Sequence, residues 1–456
     1  FEPDEEPEPI REEEKIKIPA HSRKKSGRKP LSEDLPRVEI VHDLPEDEKI
    51  CACGTKLSRI GEDVCEKLDY VPARIQVERH IRPKYACKSC EGVEDHGPTV
   101  KIAPPPVQLI PKSLVTPGLL AHVAAAKFAD GLPLYRQQKI FARIGVDIPR
   151  ATLCNWLTQA ARLCGPVLEL LLERIRSGPL INVDESPLQV LNEPGRKNTT
   201  KSYMWIFRGG PLDNPAVLYQ YRPTRSGQAA LNMLKDYAGY VQSDGFAGYE
   251  QLSNCPKIRR LGCLAHVRRK FLDVDKTRKK KRGQKDPVKG LAGEALDFIG
   301  ELYQIERQAR QKKLDFDQIR DLRQEKARPI LDRFGVWLRV HESSAPPKSL
   351  LGKAIQYALN QWKYLDGYLE EGYLKPDNNA AENAIRPFVL GRKNWLFAGS
   401  PDGADACAAF FTLIESAKAN GLEPFAYLKD LFERLPLATT REDYAALLPI
   451  PKNNPA

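Results

Sequence analysis

The chain has 456 residues, 41% of them hydrophobic, which is enough for sizeable cores and too long for one ordinary domain; length alone suggests about three. The formal net charge of +11 points to a polyanionic partner, nucleic acid or an anionic membrane surface. No apolar run approaches the ~20 residues of a membrane span and no secretory h-region opens the chain, so a soluble cytoplasmic protein is expected.

The first residue is Phe1, from which a fragment, a processed product or a mis-started frame is expected. Residues 1–48 are charged and Pro-rich, with Glu2-Pro3-Asp4-Glu5-Glu6-Pro7 followed by Arg23-Lys24-Lys25-Ser26-Gly27-Arg28-Lys29. Such a stretch cannot bury enough apolar surface to order itself and reads as a disordered linker; its basic half is also suited to phosphate contact.

Ten cysteines in a chain of this length fall below disulfide-scaffold density. In a cytosolic setting their clustering points to metal. Over 49–97, Cys51 and Cys53 precede a β-rich stretch that leads to Cys87 and Cys90. Two close pairs separated by strands can place four thiolates around one structural Zn²⁺, although the first pair is tighter than the usual spacing. Cys65 reads as a bystander, and His80 and His96 as alternative ligands.

A Pro-rich spacer over 98–111 leads to a helical region over 112–176. Within it, a helix over 134–144, a turn containing Gly145 and Pro149, and a helix from Arg150 are compatible with a helix-turn-helix that presents Arg150, Thr152 and Asn155 to DNA. An ordinary helical hairpin with Leu153 and Trp156 in the core fits equally well.

The periodicity then changes. Strands are expected at 180–183, 203–207, 216–221, 239–242 and 258–261, with a helix at 226–237 between the third and fourth. Three strands, a helix, a strand and a further unit give a mixed α/β sheet in ribonuclease H-like order. Residues 266–360 are long, charged and helical, and read as an α-helical insertion inside a catalytic domain over 178–400. A last helix is expected at 378–391, with a C-terminal region over 401–456.

Three carboxylates stand out. Asp184 and Asp244 each end or interrupt a strand run, and Glu382 opens the last helix. Two strand-borne aspartates and a helix-borne glutamate suit two Mg²⁺ ions, which prefer carboxylate oxygens and can stabilise both the attacking and the leaving oxygen of an in-line displacement. Each has a plainer reading. Successive strand side chains face opposite ways, so only one of Asp184 and Glu185 can face a shared site. Asp244-Gly245 is also a turn signal. Asn379-x-x-Glu382 is close to a capping box. Helical spacing sets Asn378, Glu382 and Arg386 on one face, and Arg392 and Lys393 follow. Downstream of Asp244, Cys263-x-x-His266 supplies two ligands only. His266 suits a phosphate- or water-orienting role or a structural one, and Arg268, Arg269 and Lys270 suit phosphate contacts or a solvated face.

Taken together, Val183-Asp184-Glu185-Ser186, Ser243-Asp244-Gly245-Phe246, Cys263-x-x-His266-x-Arg268-Arg269-Lys270 and Asp377-Asn378-Asn379-Ala380-Ala381-Glu382-Asn383-x-Ile385-Arg386-Pro387 resemble the insertion-sequence 66 family of bacterial transposases, over nearly all of residues 23–450. The resemblance implies a ribonuclease H-like core with Asp184, Asp244 and Glu382 as a Mg²⁺-dependent catalytic triad. It implies cleavage at insertion-element ends and strand transfer into target DNA, a zinc-binding N-terminal module, and a short C-terminal region around Phe425-Ala426-Tyr427-Leu428. It also implies further N-terminal sequence that this chain lacks, a homo-oligomer acting on double-stranded DNA, and element-encoded accessory proteins as partners. The rivals are a ribonuclease H-like endonuclease without strand transfer and a non-catalytic DNA-binding regulator derived from a transposase. A membrane-surface role is weak, because the charge lies along lysine-rich helices without an amphipathic anchor.

Overall fold

The computed structural model describes residues 75–86, 100–277 and 290–451. Cys51, Cys53, Cys87 and Cys90, with the charged segment 1–48, lie outside the described residues. The chain divides into two units, 1–81 and 82–456. Of the first, residues 75–81 are described, exposed and without regular structure.

The second unit begins with a two-stranded antiparallel ribbon, β1 (Lys84–Ala86) and β2 (Val100–Ile102). Four helices follow: α1 (Pro117–Phe128), α2 (Leu134–Arg143), α3 (Arg150–Leu163) and α4 (Gly165–Arg176). The hydroxyl of Thr116 caps α1 by accepting the Leu119 N–H at 3.3 Å. Gly145 sits at φ +82° in the turn between α2 and α3, a conformation that costs glycine little.

The sheet comprises β3 (Leu180–Val190), β4 (Lys201–Gly209), β5 (Ala216–Arg222), β6 (Gly239–Gln242), β7 (Ile258–Leu261) and β8 (Phe397–Ala398), in the order β5-β4-β3-β6-β7 with β8 also on β3. β3, β4 and β5 are antiparallel neighbours, while β6, β7 and β8 join in parallel. Every strand expected between 180 and 261 is present, and β3 runs seven residues past its expected end at Val183, whereas residues 75–79, part of the β-rich stretch expected before Cys87, form no strand. The expected helix at 226–237 is shorter: α5 covers Gln228–Met233, and the chain then turns through Asp236 at φ +64°.

β3 carries the key asymmetry. Ile181, Asn182 and Val183 are all buried, and beyond Ser186 burial alternates. On the edge away from β4, β6 pairs only with 180–182 and β8 only with 189–190. Among the described residues the strand therefore has no strand neighbour on that side over 183–188, and α11 (Asn379–Trp395) packs against it. Ligands of open parallel sheets collect where neighbouring strands part at their C-terminal ends.

Between the strands and α11 lie α6 (Leu264–Lys276), α7 (Leu291–Gln311), α8 (Phe316–Leu322), a π-helical turn (Arg323–Ala327), α9 (Arg328–Glu342) and α10 (Leu350–Leu365). They close around their own core, with Phe271, Ile299, Leu302, Phe334 and Leu338 buried together. Arg323 is fully buried in that turn. Its guanidinium bonds both oxygens of Glu306 (2.7 and 2.8 Å) and donates to the carbonyls of Tyr368, Glu371 and Leu374. That pairing ties the helical insertion to the segment leading into α11, so the position of α11 depends on the insertion.

α12 (Pro401–Ala419), α13 (Pro424–Arg434) and α14 (Arg441–Ala445) complete the chain. Thr412 and Ser416 of α12 accept the N–H groups of Tyr219 and Val217 on β5 at 2.8 and 2.9 Å, which satisfies the outer edge of the sheet. Among the described residues, no helix is long and apolar enough to cross a membrane.

Candidate active site

Asp184 lies on β3 just past its last pairing with β6, and Asp244 lies two residues past the end of β6. The two aspartates thus leave adjacent parallel strands where those strands diverge. Asp184 accepts the Glu185 N–H at 2.8 Å. Its carboxyl is pushed up from 3.8 to about 7 by burial first, then by the charge of Glu185, with Asp244 and Glu382 adding to the rise. Asp244 Oδ1 accepts the Phe246 N–H at 3.0 Å, so the turn reading of Asp-Gly holds alongside the placement of its carboxylate near Asp184. A Cβ on Gly245 would lie 2.6 Å from the Tyr357 hydroxyl, which leaves room for glycine alone.

Glu382 sits in the first turn of α11, and the capping-box reading fails there. The N-cap residue is Asn378, whose side chain makes no cap bond. Its Nδ2 instead donates to the Val183 carbonyl at 2.8 Å, and its Oδ1 accepts from Asn182 at 3.0 Å. Asn182 also bonds Gln242 at 3.0 Å, and Gln242 donates to the carbonyls of Gly262 and Lys375. This buried amide network fastens the start of α11 to β3 and β6, and leaves the Glu382 carboxylate free of capping.

Glu382 turns toward α6. Its Oε1 lies 3.5 Å from His266 Nδ1 and its Oε2 lies 3.5 Å from Arg269 Nη2. Burial holds the His266 imidazole below its ordinary pKa, against the pull of Glu382 and Asp244. Cys263 Sγ accepts the Asn378 N–H at 3.2 Å. Cys263, His266 and Glu382 are the set of three metal-ligating side chains, among the described residues, whose ligand atoms all lie within 4.8 Å of one another.

Glu185 departs from simple strand alternation. Its side chain is 1% exposed and pairs with Arg225 at 2.5 Å, and it accepts the Tyr249 hydroxyl. Burial raises its pKa, and the Asp244 charge contributes. The Arg225 guanidinium in turn stacks 3.9 Å above the Phe246 ring, so one arginine joins the Asp184 strand to the Asp244 loop. Arg260, 1% exposed in its side chain, holds the same loop from below. It donates to the Asp244 carbonyl at 3.0 Å and pairs with Glu250 at 2.7 Å.

The structure thus gathers Asp184, Asp244, Glu382, Cys263, His266 and Arg269 at one end of the sheet. Arg268 and Lys270 are exposed on α6, with the Lys270 ammonium 5.5 Å from the Tyr357 ring. On α11, Arg386 and Lys393 are exposed, and Arg392 Nη1 reaches Ser186 Oγ at 3.5 Å. Arg150 and Asn155 are exposed and Thr152 half-buried on the first turns of α3, while Leu153 and Trp156 are core. No hydrogen bond or ion pair among the described residues joins Arg150, Thr152 or Asn155 to the three carboxylates. Sequence reasoning did not identify Asn182, Gln242, Arg260 or the Glu185–Arg225–Tyr249 cluster. For Asn182, Gln242 and Arg260 the signal was a polar residue inside a short apolar strand, which demands a buried partner; Arg225 and Tyr249 lie outside the strands and carried no such signal.

Comparison with known proteins agrees along the chain. The model of the transposase IS66 family matches residues 112–406, that of the zinc-finger binding domain of transposase IS66 matches 48–91, and that of the IS66 C-terminal element matches 412–450. Uncharacterized protein y4jD of Sinorhizobium fredii (strain NBRC 101917 / NGR234) is 36% identical over 432 residues, covering 92% of this chain and 81% of the relative. Uncharacterized protein y4qI of the same organism is 33% identical over 438 residues, covering 92% and 77%. With matches to all three family regions and relatives of this reach, the chain belongs to the IS66 transposase family.

Proposed function

We propose that this protein is a DDE transposase with a ribonuclease H-like core, in which Asp184, Asp244 and Glu382 hold two Mg²⁺ ions for cleavage at element ends and strand transfer into target DNA. The observation that carries the reading is the convergence of three carboxylates where β3 and β6 part. Asp184, raised to about 7 by burial first and then by the charges of Glu185, Asp244 and Glu382, sits where positive charge would be welcome. The sheet order β5-β4-β3-β6-β7, with its first three strands antiparallel and the rest parallel, supports the core assignment. When bound, the ions would polarise the phosphodiester and activate the attacking oxygen. The protein's own contribution is placement. The Asn182–Gln242–Asn378 network fixes the strands against α11, Arg260 and Arg225 fix the Asp244 loop, and the Arg225–Glu185 pair links that loop to the Asp184 strand.

Phosphate contacts fall to the exposed cations Arg268, Arg269 and Lys270 on α6 and Arg386 and Lys393 on α11, with the half-buried Arg392 beside Ser186. Arg150, Thr152 and Asn155 would meet duplex DNA from the start of α3, the buried Leu153 and Trp156 anchoring that helix. Cys51, Cys53, Cys87 and Cys90, within the matched zinc-finger region, would hold one structural Zn²⁺. A homo-oligomer that pairs two element ends, with element-encoded accessory proteins, completes the proposal.

The test uses labelled element-end DNA with Mg²⁺. Asp184→Asn should abolish cleavage and leave DNA binding within about twofold, since the phosphate contacts lie elsewhere. Cleavage without joining in the wild type would favour a simple endonuclease. DNA binding without any Mg²⁺-dependent cleavage would favour a regulator.

A further inference from the structure

Glu382 Oε1 and His266 Nδ1 face each other at 3.5 Å, both buried, and neither has a hydrogen-bond partner among the described residues. Buried polar atoms without partners are rare and call for an explanation such as an ion. The Cys263 sulfur completes a triangle with them, all ligand atoms lying within 4.8 Å of one another. Around a tetrahedral Zn²⁺, neighbouring ligand atoms stand roughly 3.3–3.6 Å apart, given bond lengths of about 2.0–2.3 Å. The imidazole and carboxylate therefore already stand near that spacing, and the thiol needs a modest closing movement. Burial pushes the Cys263 thiol up to about 11, and the Asn378 N–H that points at its sulfur from 3.2 Å opposes that rise, so the cation itself would have to draw off the proton.

The donor set also discriminates. A thiolate and an imidazole suit Zn²⁺ and disfavour Mg²⁺, which takes oxygen ligands. Three protein ligands, with a fourth position left open, is the arrangement of an accessible zinc site rather than a closed structural one. Resting on the reading of Glu382 as the third catalytic carboxylate, we propose that Cys263, His266 and Glu382 form a regulatory Zn²⁺ site, separate from that of the N-terminal cysteines. Zn²⁺ bound there withdraws Glu382 from Asp184 and Asp244 and switches the Mg²⁺-dependent reaction off. On binding, the Cys263 S–H proton passes to solvent and an S–Zn bond forms. Arg269, 3.5 Å from the other Glu382 oxygen, would help hold the carboxylate on the α6 side.

The experiment uses the full chain as wild type, Cys263→Ser and His266→Gln, each checked for an unchanged melting transition. Bound zinc is counted after dialysis, and Zn²⁺ is titrated into the Mg²⁺ cleavage assay. Substitution with Co²⁺ gives a second reading, through thiolate-to-cobalt absorption. The proposal predicts that each variant loses about one equivalent of bound metal relative to wild type. Because even outer-shell partners are worth about 10–100-fold in metal affinity, half-inhibition should need about 100-fold more Zn²⁺ in either variant that still cleaves. Equal zinc content and equal cobalt absorption in all three proteins would overturn the site and leave the DDE reading intact. Loss of the equivalent in the variants, with no Mg²⁺-dependent cleavage by wild type, would uphold the metal site and count against the DDE reading instead.

Discussion

Replacing Asp184 with Asn should stabilise the metal-free protein while removing its activity. In the folded chain the Asp184 carboxyl is raised from 3.8 to about 7, chiefly by burial and then by its carboxylate neighbours. A raised acid is more protonated in the folded than in the unfolded state between those two values. Its penalty is therefore absent below pH 3.8, grows as pH rises through the window, and is complete above pH 7. Each unit corresponds to about 1.4 kcal/mol, so the limiting penalty is about 4 kcal/mol; partial exposure of the side chain reduces it to on the order of 2 kcal/mol. Asparagine carries no charge and its Oδ1 can still accept the Glu185 N–H, so the local geometry survives. Thermal melts at pH 8 in chelator should place Asp184→Asn several degrees above wild type, the gap closing toward pH 4. Saturating Mg²⁺ should raise the wild type and leave the variant nearly unmoved. A variant that melts with or below wild type at pH 8, with no change in the gap across pH 4–8, would show that the Asp184 carboxylate carries no such penalty.

Other expectations follow from the same geometry. Asn378→Ala removes the donor to Val183 and the acceptor for Asn182; it should cost about 1–3 kcal/mol in denaturant unfolding and lower cleavage rate more than DNA affinity. Arg225→Met leaves the buried Glu185 carboxylate without its cation; a loss of about 1–3 kcal/mol that shrinks when Glu185→Gln is added would identify the uncompensated charge as the cause. Gly245→Ala drives a methyl into Tyr357; activity should fall about tenfold or more, with partial recovery on adding Tyr357→Ala, since small misplacements near the reacting centre are costly.

Much of the sheet was legible because its strands are short apolar runs bounded by turn residues, and the strands expected at 239–242 and 258–261 appear with those limits. The region from α2 to α3 was legible because the Gly145 and Pro149 signals bracket a real turn. Boundaries failed where a tertiary contact decided them. β3 continues to Val190 because β4 pairs along it to Gln189, and β8, more than 200 residues away in sequence, adds to its end. The cap of α11 misled because Asn378 spends its side chain on β3 rather than on its own helix. Glu185 was set aside by strand alternation, yet Arg225 and Tyr249 hold it at the site's edge. Alternation says which way a side chain leaves the strand, and says nothing of what loops return to meet it. The closeness of Cys263, His266 and Glu382 was likewise invisible, since it depends on α6 and α11 meeting across more than 100 residues of chain.

Glu382 is proposed to join Asp184 and Asp244 in one metal-dependent reaction. Purified wild type and Glu382→Gln should be incubated with labelled element-end DNA, target DNA and Mg²⁺, and the cleaved and joined products resolved. Both products are expected from the wild type and neither from the variant, with DNA binding retained in both. Cleavage and joining that persist in Glu382→Gln would contradict that role and reduce Glu382 to a partner of His266 and Arg269.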